Sequence, residues 1–174
     1  LILAFLIHPF LSFSQVYNID NEEDISRVIL DDEYIVISKF KSDSGNFIST
    51  QGGYYQLNEG VYEINLEFNS NYDQDSIKTL SITKASKWKN ISKENDILKG
   101  KWVMSGRYNN GEFRTRNTDL PRKTMKILID GFFQWIAFNT ETFKFSGSGG
   151  GEYETLDGKY IEIIQYFSRD DSRV

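Results

Sequence analysis

The side chains in this chain that could do chemistry are carboxylates, aromatics and glycines, because the usual nucleophiles and bases are nearly absent. There is no Cys, and the single His is His8. From Gln15 onward neither an imidazole nor a thiol is available. That removes Ser-His-Asp and Cys-His catalysis and any zinc site built on nitrogen or sulfur ligands. Gly147-Ser-Gly-Gly-Gly151 has the glycine density of a phosphate loop but lacks its Lys-Ser/Thr, and Glu152 stands where the third glycine of a dinucleotide fingerprint would fall. It reads as a tight turn or bulge. Asn71-x-Asp73-x-Asp75 sets oxygens at alternate positions as a calcium loop does, but Ser76 and Ile82 occupy the places of its glycine and its glutamate. It reads as a solvated turn. Trp88, Trp102 and Trp135 could stack on sugars or fill a core. No cofactor and no metal site is implied.

Composition narrows the partner classes. The chain has 174 residues, a net charge of −5 and dispersed Lys and Arg, so a nucleic-acid partner is not expected. Aromatics at 15% favour pleated, half-buried surfaces. The N-terminal run Leu1-Ile-Leu-Ala-Phe-Leu-Ile-His-Pro-Phe-Leu11, followed by Ser12-Phe-Ser14, predicts the remainder of a secretory signal peptide over residues 1–14, cut so that Gln15 comes first, with a buried N-terminal strand as the alternative. The predicted location is secreted, periplasmic or cell-surface, with no transmembrane segment.

The elements that must position any site come in two sets. Sliding the chain against itself by 98 positions pairs residues 32–76 with 130–174. Identities fall at Asp32/Asp130, Phe40/Phe138, Phe47/Phe145, Gly52/Gly150, Gly53/Gly151, Tyr55/Tyr153, Gly60/Gly158, Tyr62/Tyr160, Ser70/Ser168 and Asp73/Asp171. These are mostly the residue types that fix turns and fill cores. Tyr62, Ile64, Leu66 and Phe68 alternate with polar residues, which predicts a half-buried strand. Its counterpart is residues 160–167. Further strands are expected over 34–40, 47–50, 77–83, 101–108, 124–129, 132–139 and 143–146. Hairpin turns are expected at Asn58-Glu-Gly60, Asn109-Asn-Gly111 and Asp157-Gly158. A short helix is expected over residues 20–30, with its acidic residues in the first turn.

The same alignment sets Glu162 opposite Ile64. If the face Tyr160-Glu162-Ile164-Tyr166 points inward, the carboxylate is buried and needs a partner, for which Arg107, Arg116 and Arg122 are candidates. If Ile161, Ile163 and Phe167 are buried instead, Glu162 faces water.

Gly100-Lys-Trp102 at the head of a strand resembles the G-x-W signature of lipocalins, whose Trp closes the barrel floor. Arg122-Lys-Thr-Met-Lys-Ile-Leu128, Phe133-Gln-Trp-Ile-Ala-Phe-Asn139, Phe145-Ser-Gly-Ser-Gly-Gly-Gly151 and Phe167-Ser-Arg-Asp-Asp-Ser-Arg-Val174 extend that likeness. The chain resembles a bacterial family of secreted lipocalin-like domains of unknown function, labelled "membrane or secreted protein", in two tandem copies cut at both ends. The resemblance implies an all-β fold of antiparallel calycin-type barrel units, each incomplete. The first, diverged and short, spans residues 15–91. A linker follows over 92–99, and the second, truncated unit covers 100–174. The first unit lacks a G-x-W opening. The expected function is a non-enzymatic module that binds a small apolar or amphipathic ligand, or a protein partner, with Trp102, Trp135, Tyr160, Glu162 and Tyr166 as candidate ligand-binding residues. The alternative is a carbohydrate-binding β module in cell-surface glycan uptake. A carboxylate glycosidase is a third class, and nothing in the sequence marks its acid–base pair.

Overall fold

The computed structural model describes residues 14–93 and 97–174. The expected signal segment up to residue 13 and part of the expected linker lie outside the described residues. Alternating apolar and polar side chains, punctuated by Asn-Gly, Asp-Gly and Glu-Gly turns, make the chain all-β with antiparallel pairing throughout. Strands β1 (Gln15–Asp20), β2 (Asp24–Leu30), β3 (Tyr34–Lys41), β4 (Phe47–Asn58), β5 (Val61–Asn69), β6 (Thr79–Thr83) and β7 (Lys89–Asn90) form one sheet in the order β6-β5-β4-β3-β2-β1-β7. Strand β8 (Gly100–Val103) leads into a hairpin of β9 (Gly106–Asn109) and β10 (Glu112–Thr115). Strands β11 (Arg122–Ile129), β12 (Phe132–Asn139), β13 (Phe145–Leu156) and β14 (Lys159–Phe167) follow. The second sheet runs β14-β13-β12-β11-β8, while among the described residues β9 and β10 pair only with each other.

Neither sheet closes. The first ends in the edges β6 and β7 and the second in β14 and β8, so the described residues do not form the expected barrel units. Each sheet has an apolar inner face that must be covered, and the opposing sheet covers it. Val16, Ile29, Tyr34, Val36 and Phe68 of the first sheet share one buried cluster with Met125, Ile127, Ile129, Phe132, Ile136 and Phe138 of the second. Ring contacts join the sheets: Phe68 to Phe138 at 5.0 Å, Phe40 to Tyr166 at 4.7 Å, Phe47 to Phe145 at 5.9 Å. A buried polar knot crosses the same interface. Gln134 accepts from Ser38 Oγ (2.8 Å) and donates from Nε2 to Thr50 Oγ1 and Ser148 Oγ (both 2.9 Å).

The bounds of β3, β4 and β5 recur 98 residues on, as 34 to 132, 47 to 145 and 61 to 159. The irregularities recur with them. Register shifts fall between Gly52 and Gly53 and between Gly150 and Gly151. The backbone amides of Thr50 and Ser148 donate to equivalent hydroxyls, Ser70 Oγ (2.9 Å) and Ser168 Oγ (2.8 Å) respectively.

Two local expectations are corrected. Residues 20–30 are not helical: the Asn21 amide donates to the Asp24 carbonyl at 2.9 Å, and β2 is paired on both sides. Ladder partners and the β-branched Ile25, Val28 and Ile29 outweigh an acid-first pattern that would suit a helix. Residues 101–108 are not one strand either. The chain leaves the second sheet after Val103, with the Met104 amide on the Thr124 carbonyl (2.9 Å), and enters the separate hairpin at Gly106.

Candidate functional site

The outer face of the second sheet carries most of the chemistry. Its register sets Trp102, Lys126, Trp135, Gly149 and Phe167 side by side in one row across β8, β11, β12, β13 and β14. Trp135 lies between Phe167 (5.6 Å between ring centroids) and the Arg169 guanidinium (5.5 Å from its ring). Arg169 is fixed by two hydrogen bonds to the Ser146 carbonyl, from Nε at 3.0 Å and Nη2 at 2.6 Å. It can lie there because Gly147, at φ +149°, has no side chain: a Cβ would fall 2.4 Å from Nε of Arg169.

The β9–β10 hairpin stands beside this row and makes a groove of about 490 Å³. Its lining brings together five arginines: Arg107 and Arg114 from the hairpin, Arg116 just after it, Arg122 from β11 and Arg169. Trp135, Met104 and Ala137 supply apolar surface between them. Register places Arg107 directly opposite Arg114, a like-charge cross-strand pair that destabilises a ladder. Among the described residues one carboxylate reaches the group, Glu112, 3.9 Å from Nη2 of Arg114 and largely exposed. Arg116 donates from Nη1 to Thr124 Oγ1 at 3.1 Å, tying the hairpin base to the sheet. Guanidinium groups stay charged across the working pH range and present forked donors that match carboxylate, sulfate or phosphate oxygens. In a chain of net charge −5, this is a local concentration of positive charge against an aromatic wall.

The residues expected from the sequence divide. Trp135 lines the groove. Trp102 sits in the same row, but 54% exposed on an edge strand, its indole N–H donating to the Leu98 carbonyl at 3.0 Å. It therefore closes no barrel floor. Tyr160 and Glu162 meet: the Tyr160 hydroxyl donates to Glu162 Oε1 at 2.6 Å, and burial, followed by that hydrogen bond, holds the hydroxyl well above its ordinary pKa. The partner of Glu162 is Lys126, not an arginine, and the pair is half-exposed rather than interior. Arg107, Arg116 and Arg122, the expected partners, line the groove instead.

Tyr166 parts from the other three residues of its expected face. Gly150 pairs with Tyr166 and Gly151 with Ile164, so Gln165 is an extra residue in β14 and the alternation inverts there. Tyr160, Glu162 and Ile164 stay on the outer face, while Tyr166 turns inward onto Phe40. The counterpart strand does the same at Glu67, sending Phe68 into the shared core and leaving Tyr62, Ile64 and Leu66 outside it.

The other two motifs are structural. Gly149 to Gly151 are strand residues at this bulge. Asp75 accepts from Asn69 Nδ2 (2.8 Å) and the Ile77 amide (2.9 Å), closing a short helical turn.

Two of the five arginines, Arg107 and Arg114, have a signal in the sequence. A turn at Asn110-Gly111 pairs residues equidistant from it, so 109 faces 112 and 107 faces 114. Arg122, Arg169 and Trp135 join only through the sheet. No protein-family model, curated protein or solved structure matches this chain.

Proposed function

We propose that this chain is a non-enzymatic binding module acting outside the cytoplasm, and that its ligand is an amphipathic anion held in the arginine groove. The observation that carries the reading is the set of five guanidinium groups around Trp135 with Glu112 as their one carboxylate neighbour among the described residues. An acid group would take donors from the arginines, and an apolar body would cover Trp135, Met104 and Ala137. The recurrence of strands and bulges at an offset of 98 supports two copies of one β unit related to the secreted lipocalin-like domains, with the two sheets facing each other. The apolar run ending at Ser14 supports export.

Calorimetric titration with decanoate, and with decanol as its neutral counterpart, tests this. Decanoate is expected to bind and decanol to bind much more weakly. Arg122→Ala, an exposed residue without an ion-pair partner among the described residues, should weaken decanoate about tenfold or more, the value of a charge-assisted hydrogen bond. Equal binding of the two compounds, or no effect of Arg122→Ala, overturns the reading. A second reading, a glycan-binding module, is favoured by the row of Trp102, Lys126 and Trp135 on one sheet face. It requires neutral oligosaccharides to bind and Trp102→Ala to abolish that binding.

A further inference from the structure

Resting on the groove as the binding site, we infer that its occupant is a polyvalent oxyanion, carrying two or more carboxylate, sulfate or phosphate groups, that bridges the β9–β10 hairpin to the five-stranded sheet. The charge is divided between two walls. Arg107 and Arg114 belong to the hairpin, Arg122 and Arg169 to the sheet side, and Arg116 stands at the seam on Thr124. A single small anion can satisfy one wall and leaves the guanidinium groups of the other unneutralised.

The hairpin itself points the same way. Among the described residues it is a two-stranded ladder without a third strand, an arrangement that is marginal by itself. Its tip packs Tyr108 on Phe113 (5.1 Å), both largely exposed, so the far end lies outside the core. Across it Arg107 faces Arg114, a repulsion that lowers the stability of the empty hairpin. Anionic groups set between those two side chains turn the repulsion into two attractions. Further groups on the same molecule, reaching Arg122 and Arg169, fasten the hairpin to the sheet. Because linked groups bind the second wall at high effective concentration, affinity should climb steeply with valence.

The test is a valence series on the intact chain: propionate, glutarate and tricarballylate, with pyrophosphate and trigalacturonate as arms that identify which oxyanion chemistry is preferred. Tricarballylate, or one of those two arms, is expected to bind about a hundredfold tighter than propionate. Amide hydrogen exchange over residues 106–116 should slow with the polyvalent ligand and stay unchanged at saturating propionate. Arg107→Ser gives a separate signature. It removes the cross-strand repulsion, so the free protein should melt no lower than the parent while its affinity for the polyvalent ligand falls about tenfold. A purely structural Arg107 would lower the melting temperature instead.

A flat valence series in which propionate binding is still lost in Arg122→Ala overturns the bridging inference and leaves the groove reading intact. Failure of every anion to bind overturns both.

Discussion

Tyr166 is wholly buried, stacks on Phe40, and among the described residues its hydroxyl has no hydrogen-bond partner of normal geometry. Burial pushes its pKa up to about 12, with nearby Arg27 and Ser38 pulling the other way. A buried hydroxyl without a partner is a desolvation cost without a return, so Tyr166→Phe should leave stability unchanged or raise it by about 1 kcal/mol. The pH dependence has a definite sign. Ionisation is harder in the folded state than in the unfolded chain, where tyrosine titrates near 10, so the parent's stability does not change with this group below pH 10 and falls as pH rises from 10 through 12. Parent and Tyr166→Phe melts should therefore keep a constant difference up to about pH 10 and diverge between 10 and 12, the parent falling faster. A variant that is less stable at neutral pH would show that the hydroxyl has a partner after all.

At the level of elements, the two bulges are the devices that aim side chains. A Cβ on Gly53 would lie 1.9 Å from the Asn65 carbonyl oxygen, and one on Gly151 would lie 1.9 Å from that of Ile163. Neither contact can be relieved by rotating a side chain, because the obstruction is backbone. Gly53→Ala and Gly151→Ala should each destabilise by more than about 2 kcal/mol in a denaturant melt, as overpacking and ladder disruption combine. Gly60→Ala is the control. Its φ is +83° but nothing lies within 4 Å, so only left-handed strain of about 1 kcal/mol is expected. Near-silent substitutions at Gly53 and Gly151 would mean that the bulges are not fixed by these glycines, and the inversion that separates Tyr166 from Glu162 would lose its cause.

In the whole molecule, the joint between the sheets is both greasy and polar. Gln134 is 1% exposed and makes its three hydrogen bonds to Ser38, Thr50 and Ser148, the first two on the opposite sheet. Arg27 from the first sheet reaches Gln165 of the second and lies against both Phe40 and Phe132. Gln134→Leu keeps the volume roughly constant but leaves buried hydroxyls short of partners, and should cost about 2–4 kcal/mol. Because the core is shared, the parent and this variant should each unfold in one transition, with tryptophan fluorescence and far-ultraviolet circular dichroism superimposing. Two separated transitions would show that each sheet holds itself together without the other.

Features that depend on neighbours along the chain are legible in the sequence. Alternation placed β5, the repeat placed its counterpart β14, and Glu59-Gly60 and Asp157-Gly158 placed the turns before them, because side-chain period and backbone dihedrals are local properties. The lack of Cys, and of any His beyond His8, was equally plain. Two local readings failed where nonlocal pairing outweighed local preference, at residues 20–30 and at the break after Val103. Tertiary structure decided everything that depends on which faces meet. Alternation cannot reveal an extra residue such as Gln165 that inverts a strand's face, so a period of two alone sets Tyr166 and Glu162 on one surface. Nor can it reveal whether apolar sheet faces curl into barrels or bury against each other, since both arrangements use the same pattern. The groove shows the same limit. Hairpin arithmetic sets Arg107 against Arg114, but only the path of the chain over the second sheet brings them to Arg122, Arg169 and Trp135.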